Sequence, residues 1–236
     1  MRKVLALSAL ACLYAVGAEA AAGAKPAMAV WDFTNSSGAA WWYGGVGADL
    51  ADMLTNELAS TEKFKMVERK QLSAVMGEQD LAASGAVKKG TGAKLGKLTG
   101  AKYLVTGQVS AYEENVGGKG GGIGFKGIGV GGKKEEAYIA IDIRVVDTTT
   151  GDVEYTRTVE AKSVSKGIAV GINKGGVSAG FGKMEKTPAG KAIRACLIEA
   201  SDYLSCVMVD KGSCIQEYEQ KEKARREKTK GKVKLE

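Results

Sequence analysis

The chain has 236 residues, enough for one hydrophobic core and a small appendage. It contains no histidine, which removes Ser-His-Asp and Cys-His catalysis and His-ligated zinc from consideration. Its net charge is +7, and residues 216–236 carry eight Lys/Arg against five Asp/Glu, so much of the excess sits in a charged basic tail. The first twenty residues read as an export signal. Arg2 and Lys3 form a positive start, Val4 to Gly17 an apolar stretch, and Ala18-Glu19-Ala20 a small-residue cleavage site. Two exits are open: cleavage after Ala20, which is favoured, or lipidation of Cys12 within Ala9-Leu10-Ala11-Cys12. Export argues against nucleic acid as the partner of the tail, which reads as a solvated helix or a disordered end.

Residues 21–26 form a small-residue linker, and 27–33 (AMAVWDF) a strand. After the loop signal Asn35-Ser36-Ser37-Gly38, Val46, Leu50, Met53, Leu54 and Leu58 recur at helical spacing and predict an amphipathic helix over 46–60. A short strand at 64–69, a helix at 70–79 and a helical turn or two within 92–99 follow. Residues 101–114 predict a strand. Ile139, Ile141, Ile143 and Val145 alternate with polar neighbours, and Thr150-Gly151-Asp152 supplies a turn, so 137–162 reads as a β-hairpin. Thr187-Pro188 opens a last major helix, with the cap at Thr187 and proline at the first helical position. Ile193, Cys196, Leu197, Ala200, Leu204, Val207 and Met208 share its inner face, ending near Asp210. Strands and helices in this mixed order predict an α+β domain of α/β type. Beyond the leader, Cys206 and Cys214 are the pair expected to bridge across Gly212-Ser213, and Cys196 is expected to pack.

Two glycine-rich segments interrupt this pattern. Ten of the nineteen residues 115–133 are Gly. Gly122-x-Gly124-x-x-Gly127 matches a dinucleotide fingerprint by letter, but no helix pattern follows, so nucleotide binding is not expected. Ile123 and Phe125 share one parity and Ile128 and Val130 the other, which predicts a bulge near Gly127. In 163–184, Ile168, Val170 and Ile172 alternate with small residues, Asn173-Lys174-Gly175-Gly176 signals a turn, and Val177, Ala179 and Phe181 alternate again. Apolar residues alternating with small ones, in arms of about nine residues, suit a membrane barrel wall. The segments about 115–134 and 163–184 are therefore expected to form hairpins, with Ile168, Val170, Ile172, Val177 and Phe181 facing lipid. Single hairpins leave unpaired edges in lipid, so several chains would have to pool them. The competing expectation is a pair of flexible soluble loops.

The run VERKQLSAVMGEQ at 67–79, the strand GAKYLVTGQVSAYEEN at 100–115, the hairpin IRVVDTTTGDV at 143–153 and the two alternating segments together resemble the curli secretion channel (CsgG) family. The resemblance covers about 27–210 and leaves the tail, 211–236, outside. It implies an exported protein in the outer membrane, facing the periplasm. It further implies a homo-oligomeric ring whose protomers each give two β-hairpins to a shared transmembrane barrel. Such a ring would export unfolded polypeptide cargo with periplasmic accessory proteins, and no cofactor, metal, nucleic acid or catalysis is expected. In that family a loop between the first strand and first helix narrows the pore. Here that loop is 34–46, and Trp41, Trp42 and Tyr43 are the implied constriction residues. Neighbouring side chains of an extended loop point in different directions, so at least one of the three is expected to stay accessible, Trp42 foremost. The competing expectation packs all three against the domain. The alternative function is a periplasmic envelope-assembly accessory or regulatory protein of the same fold that forms no pore.

Overall fold

The computed structural model describes residues 24–114, 122–125, 128–170 and 187–232, with backbone alone along 122–125, 128–135 and 165–170. The strands are β1 (Ala27–Val30), β2 (Thr34–Asn35), β3 (Lys65–Met66), β4 (Tyr103–Glu114), β5 (Gly122–Phe125), β6 (Ile128–Asp147) and β7 (Val153–Val170). The helices are α1 (Val46–Ser60), α2 (Leu72–Ala83), α3 (Pro188–Ser205), followed by a π-helical turn at Cys206–Asp210, and α4 (Cys214–Lys230). Among the described residues the strands form one seven-stranded sheet. β1 pairs in parallel with β3 on one side and β4 on the other, and β2 extends the β1 side of β4. β4, β6 and β7 then run antiparallel, with β5 beside the first residues of β6. The α+β class is thus the one the sequence pattern predicts.

One face of this sheet carries the core. On β6, Ile139, Ile141, Ile143 and Val145 are fully buried, as are Val105 and Val109 on β4. Val46, Leu50, Leu54 and Leu58 of α1 and Ile193, Leu197 and Leu204 of α3 cover them. Each such side chain stabilises the fold by roughly 1.5–3 kcal/mol. The Thr187 hydroxyl accepts from Gly190 N at 3.1 Å and caps α3, with Pro188 in its first turn. Cys196 lies in this core, where burial, with Glu160 and Glu199 adding to it, pushes its thiol up to about 12. It is a packing residue and not a nucleophile.

Several expectations are corrected. The strand expected at 64–69 is confined to Lys65–Met66, and the helix expected at 70–79 runs from Leu72 to Ala83. No helix forms over 92–99, where Gly92, Gly96 and Gly100 leave only turns. The expected hairpin 137–162 does form, and its strands β6 and β7 run on into the glycine-rich segments without a break. The parity slip near Gly127 is a chain reversal and not a bulge: Phe125 pairs with Ile128 across the two residues between them.

The basic tail is a docked helix. A disulfide joins Cys206 to Cys214, and Lys211, at φ 49, turns the chain between them. α4 then lies along the edge strand β7. Tyr218 is buried, and the Arg157 guanidinium lies 5.1 Å from its ring and 5.2 Å from that of Tyr203. Arg157 Nη1 also donates to the Tyr218 carbonyl at 2.8 Å. Farther along, Arg225 bonds Glu222 at 2.8 Å and reaches Glu160 at 3.4 Å. Tyr218 is the one buried side chain of α4, so its docking depends on few contacts.

At the other side of the domain, Phe33 fixes the chain between β1 and α1. Its N–H donates to the Gly47 carbonyl at 3.0 Å, and a Cβ on Gly47 would come within 2.3 Å of the Phe33 carbonyl. Its ring lies across β4 at Gly107, where a Cβ would come within 2.1 Å of Cε1. Close approach of ring to strand therefore requires glycine at that position.

These contacts set measurable expectations. Gly107→Ala should destabilise the domain by roughly 1–3 kcal/mol through overpacking, and Phe33→Leu in the same chain should recover most of it in thermal melting. Tyr218→Ala should release α4 at a cost of about 3 kcal/mol, read as about a hundredfold loss of amide protection confined to 214–230. Arg225, with Arg226, holds the Glu222 carboxyl down from 4.5 to about 2. A carboxyl depressed by folding contributes stability above its unfolded value and loses it as pH falls towards the folded one. Protection of α4 should hold above about pH 4.5 and fall between there and about pH 2, measured by exchange at stepped pH; Glu222→Gln should flatten that profile.

Candidate functional site

The loop from Thr34 to Gly45 is a structured turn system. β2 pairs with β4 at Gln108 and Val109, and Ser36 N donates to the Val109 carbonyl at 2.9 Å. The Asn35 carboxamide oxygen accepts from Ser37 N at 2.9 Å and from the Ser37 hydroxyl at 2.7 Å. Gly38 follows with a left-handed φ of +69, and Trp42 N donates to the Ala39 carbonyl at 3.1 Å. Gly45, at φ +100, then admits the chain to α1. Left-handed conformation at both positions favours glycine.

Within this frame the three aromatics take different places. The Trp41 ring stands edge-on to Tyr112 at 5.4 Å and tilted against Trp42 at 5.8 Å. Both tryptophans are half-buried against the core. Tyr43, and not Trp42, is the most accessible of the three, at 43 % exposure. Trp42 packs because the turn closed on Ala39 folds it back over the domain, while Tyr43 is carried outward just before α1 begins. Trp42 and Tyr43 together border a cavity of about 380 Å³ that runs under Gly45 and Gly47.

Tyr112 is a residue that sequence reasoning misses, yet it is the floor under Trp41. A bulge between Val109 and Ala111 shifts the β4–β6 register, so that Tyr112 pairs with Ile139 and joins the row facing the helices. Without the bulge, Val109 and Tyr112 would stand on opposite rows. The Tyr112 hydroxyl and Trp41 Nε1 are both buried without a hydrogen bond of good geometry among the described residues. Burial, reinforced by the Glu114 carboxylate, raises the Tyr112 phenol far above its ordinary range, so it stays protonated. The available signal is the change of parity after Val109, which strict alternation does not anticipate.

The arm formed by β5, β6 and β7 is defined by its register. From Val130↔Val170 to Val145↔Tyr155 the β6–β7 ladder is unbroken, so row identity carries from the domain into the arm. In the domain, the row facing the helices is apolar: Ala137, Ile139, Ile141, Ile143 and Val145, with Val159 opposite. The far row there holds Glu136, Tyr138, Asp142 and Arg144, with Thr158, Glu160 and Lys162. In the arm the composition exchanges rows. Positions Ile128, Val130, Ile168 and Val170 belong to the far row, and β5 adds Ile123 and Phe125 to it. The row continuous with the helix side becomes Gly129, Gly131, Gly167 and Ala169, with Gly122 and Gly124. At the exchange, Lys134 pairs with Lys166 in register, and the buried Glu136 carboxylate meets Lys162 Nζ at 2.7 Å.

Of the expected lipid-facing residues, Ile168 and Val170 fall on this one row of β7. Ile172, Val177 and Phe181 lie outside the described residues, as does Cys12. No helix among the described residues is long and apolar enough to cross a membrane, and no cluster of metal-ligating side chains occurs among them.

A family model and several known proteins are similar to this chain. The family model described as "Curli production assembly/transport component CsgG" matches residues 9–233 and so includes α4. The curli production assembly/transport component CsgG of Escherichia coli strain K12 is 31 % identical over 127 residues, 49 % of this chain and 45 % of the relative. That of Salmonella typhimurium strain LT2 is 29 % identical over 126 residues, with the same two shares of 49 % and 45 %. The chain thus spans less than half the length of these curated relatives. Among solved structures, the hypothetical protein CT253 from Chlamydia trachomatis aligns with TM-score 0.43 and 14 % identity, over 78 % of this chain and 97 % of that one. The PelC dodecamer from Paraburkholderia phytofirmans aligns with TM-score 0.33 and 11 % identity, over 75 % and 86 %. With the family model covering nearly all of its length, the chain belongs to the CsgG family of curli production assembly/transport components.

Proposed function

We propose that this protein is the protomer of an outer-membrane secretion pore that passes unfolded polypeptide through a homo-oligomeric β-barrel. The observation that carries this reading is the exchange of apolar rows along one unbroken ladder. A strand that stays in a soluble domain keeps its apolar residues on the covered side. Here the arm turns its apolar row to the side away from α1 and α3, which suits lipid, and its glycine row to the side that suits a water-filled lumen. Lys134 and Lys166 stand where the hydrocarbon would begin. An arm of this kind leaves backbone edges that only neighbouring arms can pair within a bilayer. Family membership supports export and a transport role in curli production, with curli-like subunits as the class of cargo.

The aromatic loop fits the same reading. Trp41 rests on Tyr112, whose row is continuous with the glycine row of the arm. The loop therefore lies on the lumen side. Repeated around a ring, it would narrow the passage with aromatic faces that make sequence-tolerant contacts to an extended chain. Tyr43 would be its foremost element, with Trp41 and Trp42 as the braces that hold it out.

Two measurements test this. In reconstituted membranes, Val170→Arg should block insertion, at a cost of roughly 2–4 kcal/mol near the bilayer midplane, whereas Ala169→Arg, one residue away on the other row, should insert. Equal behaviour of the two would sink the barrel reading. In planar bilayers, Tyr43→Ala should raise single-channel conductance with assembly and melting unchanged. Trp41→Ala should instead lower the melting temperature, at roughly 2–4 kcal/mol for the lost contacts with Trp42 and Tyr112. Unchanged conductance in Tyr43→Ala would remove the loop from the pore.

A further inference from the structure

The charge of α4 is divided along its length. From Cys214 to Glu222 three carboxylates stand against Lys221, whereas from Lys223 to Lys232 six Lys/Arg stand against Glu227, a net +5. Within the basic half, Arg225 and Arg226 are held by Glu222, and Arg225 also by Glu160. Lys223, Lys228, Lys230 and Lys232 are exposed and make no ion pair among the described residues. Cations in the last turn of a helix offset its dipole. That accounts for Lys228 and Lys230 but not for a basic run that begins a turn earlier and continues past the helix end.

Two contacts give the direction in which this charge is carried. Tyr218 receives Arg157 of β7 on its carbonyl, and Arg225 reaches Glu160 of β7 at 3.4 Å. From Tyr218 to Arg225 the helix rises about 10 Å, and from Arg157 to Glu160 the strand also advances about 10 Å. Helix and strand therefore run side by side in the same direction. β7 continues from Glu160 into the arm, so α4 carries its basic end towards the base of the arm. By the same rises, Lys230 comes to about the level of Lys162. Lys162 is on the far row and meets the Glu136 carboxylate at 2.7 Å. Further along that row Lys166 stands opposite Lys134, and the row then continues as Ile168 opposite Gly132 and Val170 opposite Val130. Like charges directly opposite across two strands repel. From Lys134 and Glu136 to Lys162 and Lys166, the row holds three lysines and one carboxylate. Positive charge on helix and sheet thus gathers where the apolar row begins.

We propose that the basic end of α4, together with Lys134 and Lys166, binds the phosphates of anionic phospholipids and seats the base of the arm on the membrane surface. The inference rests on the pore reading, which puts hydrocarbon beyond Lys134 and Lys166. A headgroup layer of about 5–7 Å separates hydrocarbon from water on each side. Lysine stems can lie along apolar surface while their ammonium groups stay in that layer. Clustered Lys/Arg beside a membrane segment attract anionic lipid, each adding about fivefold in affinity near the surface. The attraction fades within about 8 Å of it at physiological salt, so the depth of the cations matters. The Cys206–Cys214 disulfide and the Arg157 stack fix the start of α4, and they give its basic end a set height beside β7. The acidic first half stays beside the domain, away from the anionic surface.

Flotation with vesicles tests this on the full chain, extracted from outer membranes in detergent and added to phosphatidylcholine alone or mixed with phosphatidylglycerol. The natural chain should favour the anionic vesicles by about a hundredfold. Replacing Lys223, Lys228, Lys230 and Lys232 together by Gln should abolish that preference. All four are exposed, so melting should be unchanged. Lys134→Gln with Lys166→Gln should lower the preference about tenfold. A charge-matched control replaces Lys88, Lys89, Lys94 and Lys97 by Gln, in the loop that enters β4 at the end away from the arm. It should keep the preference. Equal loss in the two fourfold variants would reduce the effect to net charge and overturn the inference. Sodium phosphate should compete no better than sodium chloride at equal ionic strength; selective displacement by phosphate would mean a site for the free ion and overturn the lipid assignment. If the natural chain forms channels in both kinds of vesicle and floats equally with both, the inference is overturned while the pore reading stands. If it forms channels in neither, the pore reading fails and the inference falls with it.

Discussion

The ladder between β6 and β7 constrains everything else in this molecule. Its sixteen consecutive pairs, from Val130↔Val170 to Val145↔Tyr155, contain no bulge, so neither strand can rotate its side chains partway along. Side chains alternate strictly along a strand, and a slip of one residue would reverse every face. The residues that would be buried by α1 and α3 if they stood near Ile141 are, some ten residues earlier, on the opposite row. One ladder therefore carries its apolar residues on one row in the domain and on the other in the arm. Hydrophobic burial against α1 and α3 fixes the domain end. In the arm the apolar positions stand on the opposite row of the same ladder.

The aromatic loop depends on the same sheet in a different way. Phe33 is seated over Gly107 and tied to Gly47, so the chain enters the loop along a fixed path. The bulge beside Ser110 then brings Tyr112 onto the helix-side row, where it supports Trp41. A bulge in β4 is tolerable because β4 needs no continuous row beyond the domain. The same defect in β6 or β7 would break the row exchange. Irregularity is thus placed on the strand that positions a loop and at the turn end of the β6–β7 ladder, between Val145 and Val146, and kept out of the sixteen pairs that lead into the arm.

Much of this is legible in the sequence, and the exceptions have physical causes. The period of 3.6 in 46–60 and the period of 2 at Ile139 to Val145 identify elements whose faces are buried inside one domain. The 92–99 turns escape because Leu95 and Leu98 mimic a short helical stripe, while Gly92, Gly96 and Gly100 disfavour helix at every turn. α4 reads as a solvated tail because ten of its seventeen residues are charged. Its docking rests on Tyr218, on the Arg157 stack and on a disulfide, none of which gives a periodic signal. Cys206 and Cys214 are the legible part, since a short loop with a glycine joins them. Of the aromatic cluster, the sequence points to the loop but does not rank its three rings. Ranking them needs the turn closed by Trp42 N on Ala39 and the parity change at Tyr112, both of which are set by tertiary contacts.

The distribution of exposed apolar surface ties these features together. A folded monomer gains nothing from leaving Met76, Leu81, Leu95 and Leu98 in water, and each would be a liability if the protein functioned alone. The core shows that the chain does bury what it can: Leu50, Leu54, Ile193 and Leu197 are completely covered. The exposed set is therefore not a failure of packing but surface held for another contact. It is concentrated beyond one edge of the sheet, while a cleft with apolar lining opens at the other. On the pore reading, the arm would need neighbours along the same direction to pair its backbone in lipid. On that reading, copies side by side would supply both backbone partners and apolar cover.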